Sequence, residues 1–152
     1  MADVVTKTRT NYFRTTDIKK LRSLLDQVKT DGSNIVLVES AGTNTAMFYC
    51  GGEIEGILTA QARENLTRDP NWADDHPETA WSIDAFLSEL SGLIAPGDAC
   101  IIKTVGYESM RCIFAGAHII AGGKVQYESF DQILLQKTRS MLADPKYTTC
   151  MN

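Results

Sequence analysis

The 152-residue sequence contains no apolar run long enough to cross a membrane. Its longest apolar stretch, residues 112–121, is interrupted by Gly116 and His118, whereas a membrane-spanning helix needs about 20 consecutive apolar residues. The first residues also lack the apolar stretch and the cleavage site of a secretory signal. With 43% hydrophobic and 22% charged residues, which is ordinary for a globular protein, the sequence predicts a cytoplasmic protein that has no membrane partner.

The motifs of common catalytic and nucleotide-binding folds are also absent. There is no GxxxxGK[ST] phosphate loop and no GxGxxG turn between a strand and a helix. There is also no GxSxG nucleophile elbow and no HxE…PCxxC zinc-deaminase pattern. We therefore predict no cofactor and no enzymatic activity.

The four cysteines are too far apart in sequence to form a CxxC redox or zinc motif. Cys50, Cys100 and Cys112 lie in apolar, strand-like sequence, where a reduced cysteine behaves as a small hydrophobic residue. Cys150 follows near the end of the sequence. We expect free structural thiols and no disulfide framework.

Each of the two histidines has one functional interpretation beside a structural one. His76 lies next to Asp75 and near Glu78, but no HxH or HxxxE spacing supports a metal site, so we predict no metal and interpret this stretch as solvated. His118 lies in apolar sequence and could activate a cysteine as a nucleophile, because a base lowers the proton affinity of a thiol. A histidine of the core or of the sheet surface is the simpler interpretation.

Charge is distributed unevenly along the chain. Residues 1–30 contain seven Lys or Arg and three Asp, whereas residues 69–89 contain six acids and no Lys or Arg. This layout predicts a basic edge and an acidic edge on one molecule, which suits docking against another protein. It argues against nucleic acid as a partner, because binding to a phosphate backbone needs a clustered basic surface.

Residues 69–89, which we call the acidic segment, also contain two tryptophans in otherwise polar sequence. Large aromatic side chains flanked by charge are typical anchors for protein partners, although Trp81 could instead pack the following helix against a sheet. The predicted partner-binding residues of this segment are Asp69, Trp72, Asp74, Asp75, Glu78 and Trp81.

Residues 9–14 interleave basic and aromatic side chains, and would stack on nucleic-acid bases if they formed a sheet face. Strand alternation places Tyr12 and Phe13 on opposite sides, so one of them belongs to the core. Glu108 and Arg111 flank a turn, where they form either a salt bridge or a binding contact. The secondary binding candidates are therefore Tyr12, Arg14, Glu108 and Arg111.

Apolar residues at helical spacing predict three helices, which begin after Thr16 or Asp17, after Ser82 and after Ser129. Each of these residues can accept a hydrogen bond from the free amides of a first helical turn. Strands are predicted over residues 10–15, 34–40, 45–50, 99–105, 111–121 and 124–128, with turns at 41–44, 106–109 and 122–123.

Residues 53–80 show no clear periodicity and are predicted to form an irregular acidic excursion, with one helical turn around residues 59–66 as an alternative. Residues 1–9 and 146–152 are predicted to fray. The order β-α-β-β-irregular-α-β-β-β-α predicts one α+β domain over residues 1–152, with a mainly antiparallel sheet and three helices packed mostly on one face.

Residues 10–15 (TNYFRT) with the helix that follows, and residues 105–123, resemble small α+β proteins encoded by bacterial phages and plasmids. The resemblance extends over most of the chain except its acidic middle. It implies a mobile-element protein in the cytoplasm of a bacterial host. It also implies a function common among such small acidic proteins, inhibition of a host-defence complex, as anti-CRISPR proteins do. It assigns no catalytic or binding residue.

The leading hypothesis is therefore a non-catalytic binding protein that inhibits a host-defence complex by occlusion, with the acidic segment imitating phosphate charge. One alternative is a domain that binds a small molecule or a nucleotide signal in a pocket between sheet and helices. A second alternative is an enzyme built on His118 and a cysteine. Exposed sheet edges also make a homodimer plausible.

Overall fold

The computed structural model describes residues 4–108 and 112–142. Within these ranges the chain forms ten strands and six helices. The strands are β1 (Val4–Thr10), β2 (Phe13–Arg14), β3 (Lys29–Thr30), β4 (Val36–Ser40), β5 (Thr45–Gly51), β6 (Ile54–Leu58), β7 (Trp81–Ser82), β8 (Ala99–Glu108), β9 (Cys112–Ala121) and β10 (Lys124–Ser129). The helices are α1 (Ile18–Asp26), α2 (Ala60–Arg68), α3 (Trp72–Asp75), α4 (Pro77–Ala80), α5 (Ile83–Ser91) and α6 (Phe130–Met141).

Seven strands form one antiparallel sheet in the order β10-β9-β8-β1-β5, and both β2 and β4 pair with β5. β1 and β4 lie at opposite edges of β5, because Arg9 of β1 and Val36 of β4 both pair with Tyr49. A smaller sheet has the order β3-β6-β7. The predicted α+β class with a mainly antiparallel sheet is confirmed.

β1 lies in the middle of the large sheet although its sequence, VVTKTRT, has little apolar character. Thr8 and Thr10 point to the core side and are buried. The Thr8 hydroxyl donates to the Gly52 carbonyl at 2.8 Å, and the Thr10 hydroxyl accepts from the backbone N–H of Phe48 at 3.0 Å. These bonds offset the cost of burying a hydroxyl group, so threonine can occupy positions where a central strand usually has apolar residues.

The side chain of Asn11 continues the pairing with β8 after β1 ends. Its Oδ1 accepts from the Ile101 N–H at 2.7 Å, and its Nδ2 donates to the Ala99 carbonyl at 3.0 Å. The backbone pairs of β1 and β8 stop at Thr10 and Ile102, so these two groups of β8 keep partners inside the protein. The chain then turns, and the next strand, β2, pairs with β5.

Helices α1 and α5 cover one face of the large sheet. The carboxylate of Asp17 accepts from the N–H groups of Lys19 and Lys20 at the start of α1, and the Ser82 hydroxyl accepts from the Ala85 N–H at the start of α5. Both predicted helix starts are thus confirmed. The core combines buried residues of these helices with the inward side chains of the strands: Phe13, Leu21, Leu24, Leu25, Phe48, Phe86, Leu87, Leu90, Cys100, Ile102 and Ile120.

The prediction of an irregular excursion over residues 53–80 is wrong, because the segment forms β6, α2, α3 and α4. The described residues therefore hold six helices, where the sequence predicted three. The helical turn considered around residues 59–66 corresponds to α2, in which Ala62 is the one buried residue, so no apolar stripe indicated its full length. Helices α3 and α4 have four residues each, which is too short to show a helical period.

Two predicted strand boundaries also need correction. The chain enters the sheet at Val4, so residues 4–9 are not frayed, and the predicted strand over 10–15 is divided between the end of β1 and β2. β8 continues through Gly106 to Glu108, where the sequence predicted a turn. The predicted frayed tail, residues 146–152, lies outside the described residues.

Helix α6 begins where the sequence predicts, with the Ser129 hydroxyl accepting from the Gln132 N–H. The apolar side that helical spacing predicts for it, Ile133, Leu134, Met141 and Leu142, is not buried, however: Met141 is 83% exposed, and the other three are also exposed. This helix therefore contributes little to the core. In the part of the chain that the structure describes, no helix has the length and apolar character needed to cross a membrane.

Candidate functional site

The acidic segment lies on a series of short helices. Asp69 follows the last residue of α2, Asp74 and Asp75 end α3, and Glu78 lies in the first turn of α4. All four carboxylates are exposed. Asp84 and Glu89 of α5, the remaining acids of the segment, are exposed as well. Within residues 4–108 and 112–142, none of these six acids forms a salt bridge, so their charge is directed to the solvent.

Both tryptophans of the acidic segment are half-buried. Trp72 stacks on His76 with ring centroids 4.3 Å apart, and the Nδ1 atom of that histidine lies 2.8 Å from the Trp72 carbonyl oxygen. Trp81 pairs with Leu58 in the small sheet, and the Nζ atom of Lys29 lies 5.3 Å from its ring centroid. The contacts order both rings while part of each surface stays accessible. Their role as partner anchors stays a prediction.

The secondary binding candidates lie in different parts of the chain's structure and do not share one environment. Arg14 is held by Asp98, which accepts from its backbone N–H at 2.8 Å and from its Nε at 3.3 Å. The backbone N–H of Arg14 is the main cause of a lowered pKa of that carboxyl group. Glu108 ends β8, and Arg111 lies outside the described residues. Arg14 therefore joins a surface ion pair, which fixes the start of β8 next to β2.

Tyr12 and Phe13 separate as strand alternation predicts. Phe13 is 1% exposed and its ring meets that of Phe48 edge to face, with centroids 6.2 Å apart. Tyr12 is 53% exposed. The side of the sheet that carries Tyr12 is therefore the side turned away from the core.

That second side, which we call the open sheet face, combines basic and aromatic residues. Tyr49, Arg9 and Lys103 pair in one row across β5, β1 and β8, and Lys7 pairs with Val105 in the next row. Paired residues of antiparallel strands point to the same face, and all five of these side chains are exposed. The sequence could not reveal this grouping, because Arg9 and Lys103 meet through strand pairing alone.

A cavity of about 390 Å³ opens on this face. Met47, which is 3% exposed, lies at its floor, while exposed Tyr12 and Tyr49 line it together with Lys7 and Arg9. Binding pockets for small organic groups have volumes of about 300–1,000 Å³, so the cavity can hold one ring-sized group. It combines an apolar floor, two aromatic walls and two positive charges.

The described thiols are poorly suited to nucleophilic catalysis. Burial raises the pKa of Cys100 to about 12, and burial also raises the pKa of Cys50, whereas a nucleophilic thiol needs a lowered value. Burial lowers the pKa of His118, whose ring packs against Tyr127 with centroids 4.8 Å apart. These groups have the properties of structural side chains, and the side chain of Cys112 lies outside the described residues.

Among residues 4–108 and 112–142, no three His, Cys, Asp or Glu side chains converge to hold a metal ion. Comparison of the chain with protein-family models, with curated proteins and with solved structures found no significant match. The geometry of the acidic segment and of the open sheet face is therefore the basis for the functional proposals below.

Proposed function

We propose that this protein is a non-catalytic binding protein that docks its acidic segment against a basic surface of a partner protein. The observation that carries the proposal is the state of the six carboxylates, which are exposed and form no salt bridge with the described residues. Like charges held close together repel one another and do not stabilise the fold. A partner that supplies positive charge would relieve this repulsion, so the arrangement favours association.

Ordered short helices support a defined docking geometry. Asp74 and Asp75 end one helical turn, and Glu78 is the second residue of the next, with His76 between the two helices. The stacked Trp72 and His76 rings hold this region in place. The carboxylates are thus presented at successive turns of a fixed backbone, where they can stand in for the phosphates of a nucleic acid.

The partner class that fits this chemistry is a protein with a basic, nucleic-acid-binding channel. A component of a bacterial host-defence complex has such a channel, and the resemblance of residues 10–15 and 105–123 to mobile-element proteins supports that choice. The protein would inhibit the complex by occupying the channel. The alternative of a small ligand held between sheet and helices is less well supported at the cavity lined by Ile83, Ile102 and His118, which measures about 110 Å³, below the roughly 300 Å³ of typical ligand pockets.

The test is an affinity pull-down from lysate of bacteria with active defence systems, read by mass spectrometry at low and high salt. The baits are the wild type, the variant Asp74→Asn/Asp75→Asn/Glu78→Gln, and the control Asp26→Asn/Glu53→Gln/Asp131→Asn. The control removes the same charge from exposed acids elsewhere, none of which forms a salt bridge with the described residues.

We expect one stoichiometric partner that the wild type and the control retain at low salt. The acidic-segment variant should lose it, and high salt should release it, because ionic strength screens exposed charges. A duplex DNA fragment should compete with the wild type for the same partner. Retention of the partner by the acidic-segment variant would contradict the proposal, and so would a wild-type bait that captures no partner.

A further inference from the structure

The open sheet face carries a second, independent binding surface. Strand pairing places Tyr49, Arg9 and Lys103 side by side, with neighbouring Cα atoms about 5 Å apart. Lys7 lies two residues from Arg9 along β1, which corresponds to about 7 Å. Three positive charges and an aromatic ring therefore occupy one continuous patch of the sheet.

The charge of this patch is opposite to that of the whole molecule. The protein has a net charge of −4, yet the outward positions of β1, β4, β5 and β8 contain no acidic residue. In the described part of the chain, the acid in the same row of the sheet is Glu128 on β10, which pairs with Ala117 of β9 and lies three strands from Arg9. Among the described residues, no carboxylate forms a salt bridge with the three basic side chains. The patch is therefore complementary to an anion.

The aromatic side chains identify the kind of anion. Tyr12 and Tyr49 line the cavity of about 390 Å³ together with Met47, and Tyr107 is exposed two rows farther along the sheet. Exposed tyrosines next to Lys and Arg bind single-stranded nucleic acid well, because bases stack on the rings while the cations contact phosphates. Duplex nucleic acid hides the flat faces of its bases and cannot use the rings in this way.

We propose that the open sheet face binds single-stranded nucleic acid. One base enters the cavity between Tyr12 and Tyr49, and the phosphates of the same strand contact Lys7, Arg9 and Lys103. This site lies on the opposite side of the sheet from the core and uses none of the acidic-segment residues. It therefore goes beyond the proposed protein docking and can succeed or fail without it.

The experiment is fluorescence anisotropy with fluorescein-labelled oligothymidylate and oligouridylate, titrated with the full chain at several salt concentrations. The variant Lys7→Gln/Arg9→Gln/Lys103→Gln should lower the slope of log affinity against log salt by about 2, since each single-strand phosphate contact contributes about 0.7. The control Lys19→Gln/Lys20→Gln/Lys137→Gln removes the same charge from exposed positions outside the face, and should retain most of the affinity.

The tyrosines provide a test of stacking that leaves charge unchanged. Tyr12→Ala and Tyr49→Ala should each weaken binding by about 5- to 100-fold, whereas Tyr12→Phe and Tyr49→Phe keep the ring and should bind as the wild type does. Thermal melts of every variant confirm that the fold is intact, and the Phe and Gln variants remain informative if an Ala variant unfolds.

Several results would overturn the proposal. These are absence of single-strand binding by the wild type at low salt, equal affinity for a duplex of the same length, and equal weakening by the control variant. Wild-type dimers in analytical ultracentrifugation that the Lys7→Gln/Arg9→Gln/Lys103→Gln variant abolishes would instead assign the face to a second copy of the chain. An unchanged salt slope in that variant would show that phosphates bind elsewhere.

Discussion

Alkaline pH should destabilise this protein in part through the buried thiol of Cys100. The residue is fully buried on β8, and burial raises its pKa from an ordinary value near 9 to about 12, with a smaller contribution from the charge of Asp98. Folding therefore favours the neutral thiol. The stabilisation is fully present below pH 9 and is lost as the pH rises from 9 towards 12.

The expected loss can be worked out from these two values. Each unit of difference between the folded and unfolded pKa corresponds to about 1.4 kcal/mol, so at pH 11 the free energy of unfolding should fall by about 2.7 kcal/mol. The variant Cys100→Ala has no thiol to ionise at this position. It should cost on the order of 1 kcal/mol at pH 8 through lost packing, and should be more stable than the wild type at pH 11.

The assay is urea unfolding of both chains at pH 8 and at pH 11, followed by circular dichroism. Comparison with Cys100→Ala cancels the titration of lysines, tyrosines and the other cysteines, which both chains share. A reversal of the stability order between the two pH values is expected. A stability difference that is the same at both pH values would refute the reasoning, because Cys100 would then ionise equally well in the folded and unfolded states.

Two further predictions concern the large sheet. Asn11→Ala should lower the free energy of unfolding by about 1–3 kcal/mol, because the Ile101 N–H and the Ala99 carbonyl lose their partners; an unchanged urea midpoint would contradict that role. Gly116→Ala should cost about 1 kcal/mol, because a β-carbon there would overlap the side chain of Tyr127. The cost should disappear in a Tyr127→Ala background, and a double-mutant cycle with no coupling would contradict the contact.

Local signals in the sequence were sufficient for the helices with strong caps. Asp17, Ser82 and Ser129 each accept from a first-turn amide as predicted, and the apolar stripes of α1 and α5 are buried. The hairpin turn at 122–123 is also confirmed, with Gly122 and Gly123 both at positive φ. These features depend on residues within one or two helical turns of each other, so a single sequence contains the necessary information.

The features that the sequence missed depend on distant contacts. The inward side of β1 carries Thr8 and Thr10. Their hydroxyl groups form hydrogen bonds with residues about 40 to 100 positions away in sequence. Gly56 of β6 has φ of +117°, and a β-carbon there would also overlap the backbone of Ser82, in β7, so both constraints require glycine. Such a glycine interrupts the residue pattern that identifies a strand. The structural reason for the glycine becomes visible only in the folded chain.

The two candidate sites also differ in whether they depend on local sequence or on distant contacts. Every acid of the acidic segment is close to the next in sequence, so the charge run was visible, and its exposure followed from its polarity. The open sheet face was not visible, because Lys7 and Arg9 reach Lys103 through β1–β8 pairing. The aromatic and basic stretch at residues 9–14 was the one signal that could have indicated it.

The central position of β1 also determines the order in which the sheet can be completed. β8, β9 and β10 join through short connections, and β4 and β5 form a hairpin, so each of these groups can assemble from contacts that are local in sequence. β1 links the two groups, and its pairs with β8 join residues 92 to 104 positions apart, from Thr10 with Ile102 to Val4 with Glu108. Closing so long a loop costs chain entropy before the contacts compensate for it. During synthesis, β1 emerges long before β8, so the edge of β1 that pairs with β8 stays open to misassociation until most of the chain has emerged.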